Sequence, residues 1–271
     1  MKKSAKKVNK SKKKISTKPS AKTPAMKKTI TKTANKKVSS GEIYQLPETN
    51  KNLVLHVGCG TNHNGSRLHK TFKNDNWQEV RFDIDKDVNP DICADMCNMD
   101  MVLDNQFKSI WSSHNIEHLF AHDVPIALGE FHRVLKDGGF VLIACPDIQA
   151  VMEGALKVGF EQPLYQSPMG PICPIDIFYG HRGAIEKGSV FMAHKTGYTA
   201  RTLANKLVQA GFVDVQVKRE SGYNLLAIGY KKSDKSKANL TPKIIEEDVI
   251  DMMKRRDELD AEPVSWKGLS A

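Results

Sequence analysis

The stretch Leu53–Cys59 (LVLHVGC), continued by Gly60, is the part of this sequence that decides its fold. A short run of apolar residues that ends in Gly58-Cys59-Gly60 is typical of a buried strand followed by a tight turn. Glycines at such a turn let backbone N–H groups approach a ligand closely. The turn alone is weak evidence for a binding site, so its meaning depends on the residues that follow.

Two acidic positions after this turn strengthen the interpretation. Asp83 stands 23 residues beyond Gly60, at the end of the second predicted strand. In an open α/β sheet, a carboxylate at that place hydrogen-bonds the two hydroxyls of a ribose. Asp95-Met96 closes the third predicted strand, where an acceptor and an apolar side chain would meet an adenine ring. The pattern therefore predicts a site for an adenosine-containing ligand.

Short apolar runs alternate with polar or helical stretches along the core of the chain. This alternation predicts an α/β protein with a doubly wound, Rossmann-like sheet, mostly parallel and closed by a C-terminal antiparallel strand pair. The turn residues Ser221-Gly222 lie between the two strands of that pair. The predicted strands are 53–59, 79–85, 91–96, 107–114, 139–146, 213–219 and 224–230, and the predicted helices are 123–136 and 199–210.

Two further segments have less regular patterns. Residues 147–197 are rich in Gly and Pro and lack a clear period, so we interpret them as a substrate lid or binding loop. Thr241-Pro242 opens a predicted amphipathic helix that runs to about Leu259 and packs on the core or on a partner. A homodimer contact through this helix is one possibility.

The charge of the chain is divided unevenly. The 271 residues carry a net charge of +10, but residues 1–40 alone hold 15 Lys and no Asp, Glu, Arg or aromatic residue. Such a segment buries too little apolar surface to fold. We therefore expect a disordered Lys-rich tail at 1–40, a domain at 41–232 and a C-terminal linker with the amphipathic helix at 233–271. The tail is either a binding element for nucleic acid or another polyanion, or a solubilising segment.

Cysteine usage and hydropathy indicate a compartment. Five cysteines, an odd number without a CxxC pair, favour free thiols in a reducing, cytoplasmic setting. No apolar run approaches the roughly 20 residues that cross a bilayer, so we expect no transmembrane segment.

Six segments, in order, resemble the class I S-adenosylmethionine-dependent methyltransferases, in particular the branch that methylates small molecules. The resemblance covers about residues 50–231. The matching segments are LHVGCG (Leu55–Gly60), FDID (Phe82–Asp85), ADM (Ala94–Met96), SSHNIEHL (Ser112–Leu119), EFHRVLKDGGFVLIACPD (Glu130–Asp147) and GYTARTLANKLVQAGF (Gly197–Phe212).

The sequence departs from the family pattern in three places. His56 stands where the family commonly has an acidic residue, and Asn62 replaces the usual third glycine. Too few residues separate the second and third predicted strands for the customary helix. These departures concern the pocket and the flank of the sheet more than the fold.

The resemblance implies methyl transfer from S-adenosylmethionine, the cofactor, to an unidentified O, N or C nucleophile by direct in-line displacement. Such an enzyme aligns donor and acceptor, excludes water and, for a hydroxyl acceptor, removes a proton. The acceptor is either a small molecule or a group on a polymer. The residues implied in cofactor binding are Gly58, Cys59, Gly60, Asp83, Ile84, Asp95, Met96 and His114.

Candidate catalytic residues come from the segments that follow the fourth and fifth strands. Histidine titrates near neutrality and suits a base, and a residue just past a strand lies at the cleft mouth of this topology. The candidates are His114, His118, His194 and Asp147, with His181, Arg182 and Lys195 as further residues near the acceptor. We expect no metal, although relatives with acids and a histidine at the positions of His114, Glu117 and His118 make a divalent metal site the alternative.

Two other functions share the glycine turn. A nicotinamide-dependent oxidoreductase is disfavoured because GCGTNH lacks the third glycine of GxGxxG and because of the antiparallel strand pair. A catalytically silent cofactor-binding adaptor that docks through its Lys tail is the other alternative.

Overall fold

A computed structural model describes residues 43–61, 67–168, 170–220, 222–233 and 239–245. The predicted tail at 1–40, Asn62 and most of the predicted C-terminal helix lie outside the described residues.

The described chain is built on an eight-stranded sheet with the spatial order β10-β8-β9-β5-β4-β1-β2-β3. Its strands run parallel except β9, which is antiparallel to both β5 and β8. The predicted Rossmann-like sheet with a C-terminal antiparallel pair is therefore confirmed. The strands are β1 (Asn52–Val57), β2 (Trp77–Asp83), β3 (Ile92–Cys93), β4 (Phe107–Ser113), β5 (Leu135–Pro146), β8 (Val213–Glu220), β9 (Asn224–Tyr230) and β10 (Lys243–Ile245).

The direction in which strands are added reverses beside β1. From β1 the chain adds β2 and β3 on one side, and then crosses over to place β4 and β5 on the other. Open α/β sheets bind their ligands in the crevice outside the carboxyl ends of the strands at such a switch point. The Gly58-Cys59-Gly60 turn follows β1 directly, so it lies in this crevice.

Both faces of the central strands are covered, which explains their continuous apolar sequence. Helices α1 (Val124–Val134) and α5 (Ala200–Gln209) bury Leu128 and Leu203 in the larger core cluster on one face. Phe72 and Trp111 belong to the smaller cluster on the other face.

The junction of α1 and β5 differs from the prediction. The helix ends at Val134 rather than at Lys136, because Leu135 already pairs with Phe107 of β4. The register then shifts before Ser109 pairs with Phe140, and Gly138 takes a positive φ of 68° within this irregularity. β5 is therefore longer than the predicted strand at 139–146.

Residues 147–197 are not the irregular loop that we predicted. Regular elements occupy much of this segment because α2 buries Val151 against Ile172 and Ile177, which form a small apolar cluster of their own. The elements are α2 (Ile148–Val158), the hairpin β6 (Tyr165–Ser167) and β7 (Gly170–Ile172), α3 (Pro174–Tyr179), α4 (Arg182–Glu186) and a 3-10 turn at Val190–Met192.

The helix predicted to begin at Thr241 is wrong at its start. Lys243–Ile245 form β10, which pairs in parallel with β8 from Lys243 opposite Gln216. An edge strand offers unpaired backbone groups, and the β-branched pair Ile244-Ile245 suits an extended conformation. The remainder of the predicted helix lies outside the described residues.

The short connection between β2 and β3 is as predicted. Residues 84–91, all of them described, contain a single 3-10 turn at Lys86–Val88 and no α-helix. The third strand is shorter than expected, since β3 ends at Cys93 and leaves Asp95 in the turn beyond it. Among the described residues, no helix has the length and apolar character needed to span a membrane.

Candidate active site

The turn after β1 requires glycine. Gly58 and Gly60 have positive φ angles of 65° and 60°, a backbone region that disfavours other residues. The amides of Gly58 and Cys59 both donate to the carbonyl oxygen of Phe82, at 2.8 and 3.2 Å. A Cβ on Gly58 would lie 1.9 Å from Oδ1 of Asn115, so even alanine does not fit.

Asn115 lies at the switch point and was not among the residues predicted from the sequence. Its Nδ2 donates to the carbonyl oxygen of Val57 at 2.7 Å and to Oγ of Ser112 at 3.3 Å. The buried amide thus ties the end of β4 to the end of β1 beside the glycine turn. A polar residue directly after a buried strand, within SSHNIEHL, is the signal that could have identified it.

Asp83 holds the turn from the neighbouring strand. Its Oδ2 accepts from the amide of Gly60 at 2.9 Å, and its Oδ1 accepts from the amide of Asp85 at 3.0 Å. A carboxylate has about four lone-pair sites, so about two remain for other donors. Arg81 also contacts this turn. Its guanidinium donates hydrogen bonds to the carbonyl oxygens of Gly60 and Asn89 at 2.5 and 2.7 Å.

Three further predicted cofactor residues, Ile84, Asp95 and Met96, lie close to Asp83 in the chain or across the β2–β3 pair. The amide of Ala94 donates to the backbone carbonyl of Asp83 at 3.0 Å, which brings the Asp95-Met96 turn beside β2. Asp95 is exposed, and its Oδ1 accepts from the amide of Cys97 at 2.8 Å. Met96 is half-buried against the core, whereas the Ile84 side chain is 52% exposed and free to cover a ring.

Cys59 takes part in the glycine turn through its backbone amide rather than through its side chain. Its thiol is buried, and burial raises its pKa to about 11. A neutral thiol of this kind is a poor nucleophile.

A buried histidine replaces the customary acid of β1. His56 lies within the sheet, and its Nδ1 is 2.5 Å from Oε1 of Glu79 on β2. A carboxylate of the neighbouring strand therefore lies beside this histidine. The other ring nitrogen, Nε2, is buried without a hydrogen-bond partner in the described part of the chain.

His114 occupies a special position at the end of β4. Its φ is +53°, an uncommon value for a residue other than glycine, and such values cluster at functional sites. The side chain is 48% exposed, with Nδ1 3.3 Å from Oε1 of Glu117. Burial acts to lower the pKa of His114, but the Glu117 carboxylate outweighs it, and the pKa of the imidazole is raised.

Glu117 is the buried centre of a histidine cluster. Only 1% of it is exposed; burial acts to raise its pKa, but His114 and His118 outweigh burial and hold the pKa low. The rings of His118 and His194 pack edge to face with centroids 4.9 Å apart. Burial lowers the pKa of His194. The structure thus brings three of the four predicted catalytic residues together.

Backbone contacts bring His194 to this cluster. The amides of Lys195 and Thr196 donate to the carbonyl oxygen of Glu117 at 2.8 and 3.1 Å. The hydroxyl of Tyr198 donates to the carbonyl oxygen of Ile116 at 3.0 Å. The segment before α5 is therefore bound along the segment after β4.

Asp147 has hydrogen-bond partners of its own. It is buried at the start of α2, where its Oδ1 accepts from the amides of Gln149 and Ala150. Its Oδ2 accepts from Nε of Arg219 at 2.6 Å. This carboxylate therefore caps a helix and pairs with an arginine, and its contact with the acceptor stays a prediction.

Two more of the predicted acceptor contacts have structural partners. Nε of Arg182 donates to Oδ1 of Asp176 at 2.7 Å. Nδ1 of His181 accepts from the amide of Ala184 at 3.1 Å and so caps α4. Lys195 is exposed, with its Nζ 4.7 Å from the centre of the Phe120 ring.

The comparison with protein families found one similarity. Residues 55–143, from β1 to β5, match the family model described as "Methyltransferase domain". This range includes the glycine turn, Asp83, Asn115 and His114. Residues 55–143 are therefore similar to a methyltransferase domain.

Solved structures with a similar chain were also found, at low sequence identity. A SAM-dependent methyltransferase from Archaeoglobus fulgidus is 14% identical, with a TM-score of 0.45, over 67% of this chain and 87% of that one. A possible histamine N-methyltransferase from Thermotoga maritima is 18% identical, with a TM-score of 0.41, over 69% and 84% of the two chains. The search of curated proteins found no match.

Proposed function

We propose that this chain transfers the methyl group of S-adenosylmethionine to an acceptor bound beside His114. The observation that carries this proposal is the junction of the Gly58–Gly60 turn, Asp83 and Asn115 at the switch point of the sheet. Three secondary elements are tied together there by short hydrogen bonds. Such rigidity holds a bound cofactor in one orientation.

Different residues around this junction would bind different parts of the cofactor. The remaining lone pairs of Asp83 suit the two ribose hydroxyls, and the exposed Ile84 and the Asp95-Met96 turn lie where the adenine ring would bind. The glycine turn leaves room for the ligand because it carries no side chain at Gly58 or Gly60. When bound, the cofactor supplies an electrophilic methyl group on a sulfonium.

His114 is the base that the geometry favours. Its exposed ring lies at the end of β4, next to the junction, and Glu117 lies near its Nδ1. A proton on Nδ1 would leave Nε2 free to accept a proton from the acceptor. This arrangement suits an acceptor with an ionisable O–H or N–H group.

The Lys-rich tail at 1–40 is proposed to increase the residence of the enzyme on polyanionic partners. Its 15 Lys residues without a single acid make the attraction electrostatic. A nucleic-acid oligomer should therefore bind the full chain in a salt-dependent way and lose this binding when residues 1–40 are removed.

Thermal stabilisation by S-adenosylhomocysteine tests the proposed cofactor site. At a ligand concentration of about 100 times Kd, the full chain should gain about 2.7 kcal/mol and a clear rise in Tm. Asp83→Asn removes charge-assisted hydrogen bonds of about 1.5–3 kcal/mol and should abolish most of the shift. Asp100→Asn, at an exposed carboxylate, is the matched control and should respond as the native chain does. An equal shift in the Asp83 variant would refute the assignment.

A further inference from the structure

We propose that Glu117, His118 and His194 form a binding site for a divalent transition-metal ion of the zinc type. The three side chains each offer a ligand atom, and these atoms lie within 4.8 Å of one another. Two imidazole nitrogens and one carboxylate oxygen are ligands that zinc and its neighbours accept. The sequence analysis named a different set as the alternative metal site, with His114 in addition to Glu117 and His118. In the structure, His194 from the segment before α5 takes the place of His114.

The orientation of both rings is fixed by backbone carbonyls. Nδ1 of His118 lies 3.1 Å from the carbonyl oxygen of Ala193, and Nδ1 of His194 lies 2.6 Å from that of Ile177. A carbonyl oxygen only accepts hydrogen bonds, so the proton of each ring is on Nδ1. Nε2 of each ring then presents a lone pair. Metal-bound histidines have this same outer hydrogen bond in most proteins.

The buried carboxylate of Glu117 independently supports a bound cation. The side chain is 1% exposed, and neither Oε1 nor Oε2 has a hydrogen bond of good geometry within the described ranges. His114 approaches Oε1 at 3.3 Å, which leaves Oε2 unaccompanied. A buried carboxylate beside two imidazole lone pairs is costly unless a cation lies between them.

Three protein ligands define a site with an open position. Structural zinc sites have four protein ligands, whereas three leave room for water or for a heteroatom of the substrate. Because Glu117 also lies beside His114, the open position would be near the proposed methyl acceptor. A metal there lowers the pKa of a bound O–H group. This role rests on the proposed function, but metal binding itself does not.

Metal binding by the full, untagged chain is the test, without S-adenosylmethionine in the sample. After removal of metal by a chelator, the chain is dialysed against Zn²⁺ or Co²⁺, and bound metal is measured by mass spectrometry. Glu117→Gln and His194→Gln should each weaken binding by at least about tenfold. His122→Gln, at a histidine with a 78% exposed side chain on the same segment, is the matched control and should bind as the native chain does.

Two further measurements distinguish loss of metal binding from loss of folding and test the open position. Circular dichroism establishes that each variant is folded, and His194→Gln at the half-buried surface serves if Glu117→Gln does not fold. The Co²⁺ form should have visible absorption bands that azide shifts, because azide would fill the open position. A native chain that binds no metal, or variants that bind as well as it does, would overturn the site; bands that azide leaves unchanged would overturn the open position. Failure to bind S-adenosylhomocysteine would affect only the proposed function.

Discussion

Replacing Gly58 by alanine should destabilise the protein through two separate effects. The left-handed backbone at this residue costs a non-glycine residue roughly 1–2 kcal/mol. The new Cβ also lies 1.9 Å from Oδ1 of Asn115 and displaces its side chain. The carbonyl oxygen of Val57 then loses its buried donor, at a cost of about 1–3 kcal/mol. Together the change should lower the free energy of unfolding by about 2–5 kcal/mol.

A double-mutant cycle with Asn115→Gly separates these effects. Once the amide is gone, Gly58→Ala should cost only the backbone strain, so the two substitutions should be non-additive by about 1–3 kcal/mol. Urea unfolding followed by circular dichroism measures all four proteins. Gly129→Ala, in α1 with nothing within 4 Å of the new Cβ, is the control and should stabilise the chain by roughly 0.5–1 kcal/mol. Strict additivity at Gly58 and Asn115 would show that a Cβ at residue 58 does not displace the Asn115 amide.

Further predictions concern titration and thiol reactivity. The Arg133 guanidinium lowers the pKa of Glu130, and burial opposes this effect. The pair therefore stabilises the fold at pH values above the ordinary pKa of a carboxyl group. This contribution is lost as the pH falls through the lowered pKa of Glu130. In Glu130→Gln, the melting temperature should depend less steeply on pH in the acid range, and an unchanged slope would contradict this. The buried Cys59 thiol, with its pKa of about 11, should react with iodoacetamide far more slowly near neutral pH than the exposed Cys93 thiol. Peptide mass spectrometry measures both rates, and equal rates would show that Cys59 is accessible.

The sheet was predictable because its signals are local. Apolar strands, the glycine turn and the acid at the end of β2 are each readable within a few residues of sequence, and the order of elements fixes the switch point. Helix α2 was missed because only Val151 and Gly154 are fully buried on it, so its apolar period is weak.

The histidine cluster depends on tertiary structure. His194 is distant in sequence from Glu117 and reaches it through backbone hydrogen bonds that no local pattern reveals. The Asp147 carboxylate likewise pairs with a distant residue, Arg219 on β8. β10 replaced the start of a helix because the edge of β8 offered a strand partner. Local propensity cannot anticipate such long-range pairings.

The proposed function requires the switch point of the sheet to bind the methyl donor. Calorimetric titration of the full chain with S-adenosylhomocysteine, and in parallel with NADH, tests it most directly. We expect saturable binding of about one S-adenosylhomocysteine per chain and no binding of NADH. Binding of NADH alone would contradict the proposed function, as would a folded chain that binds neither ligand.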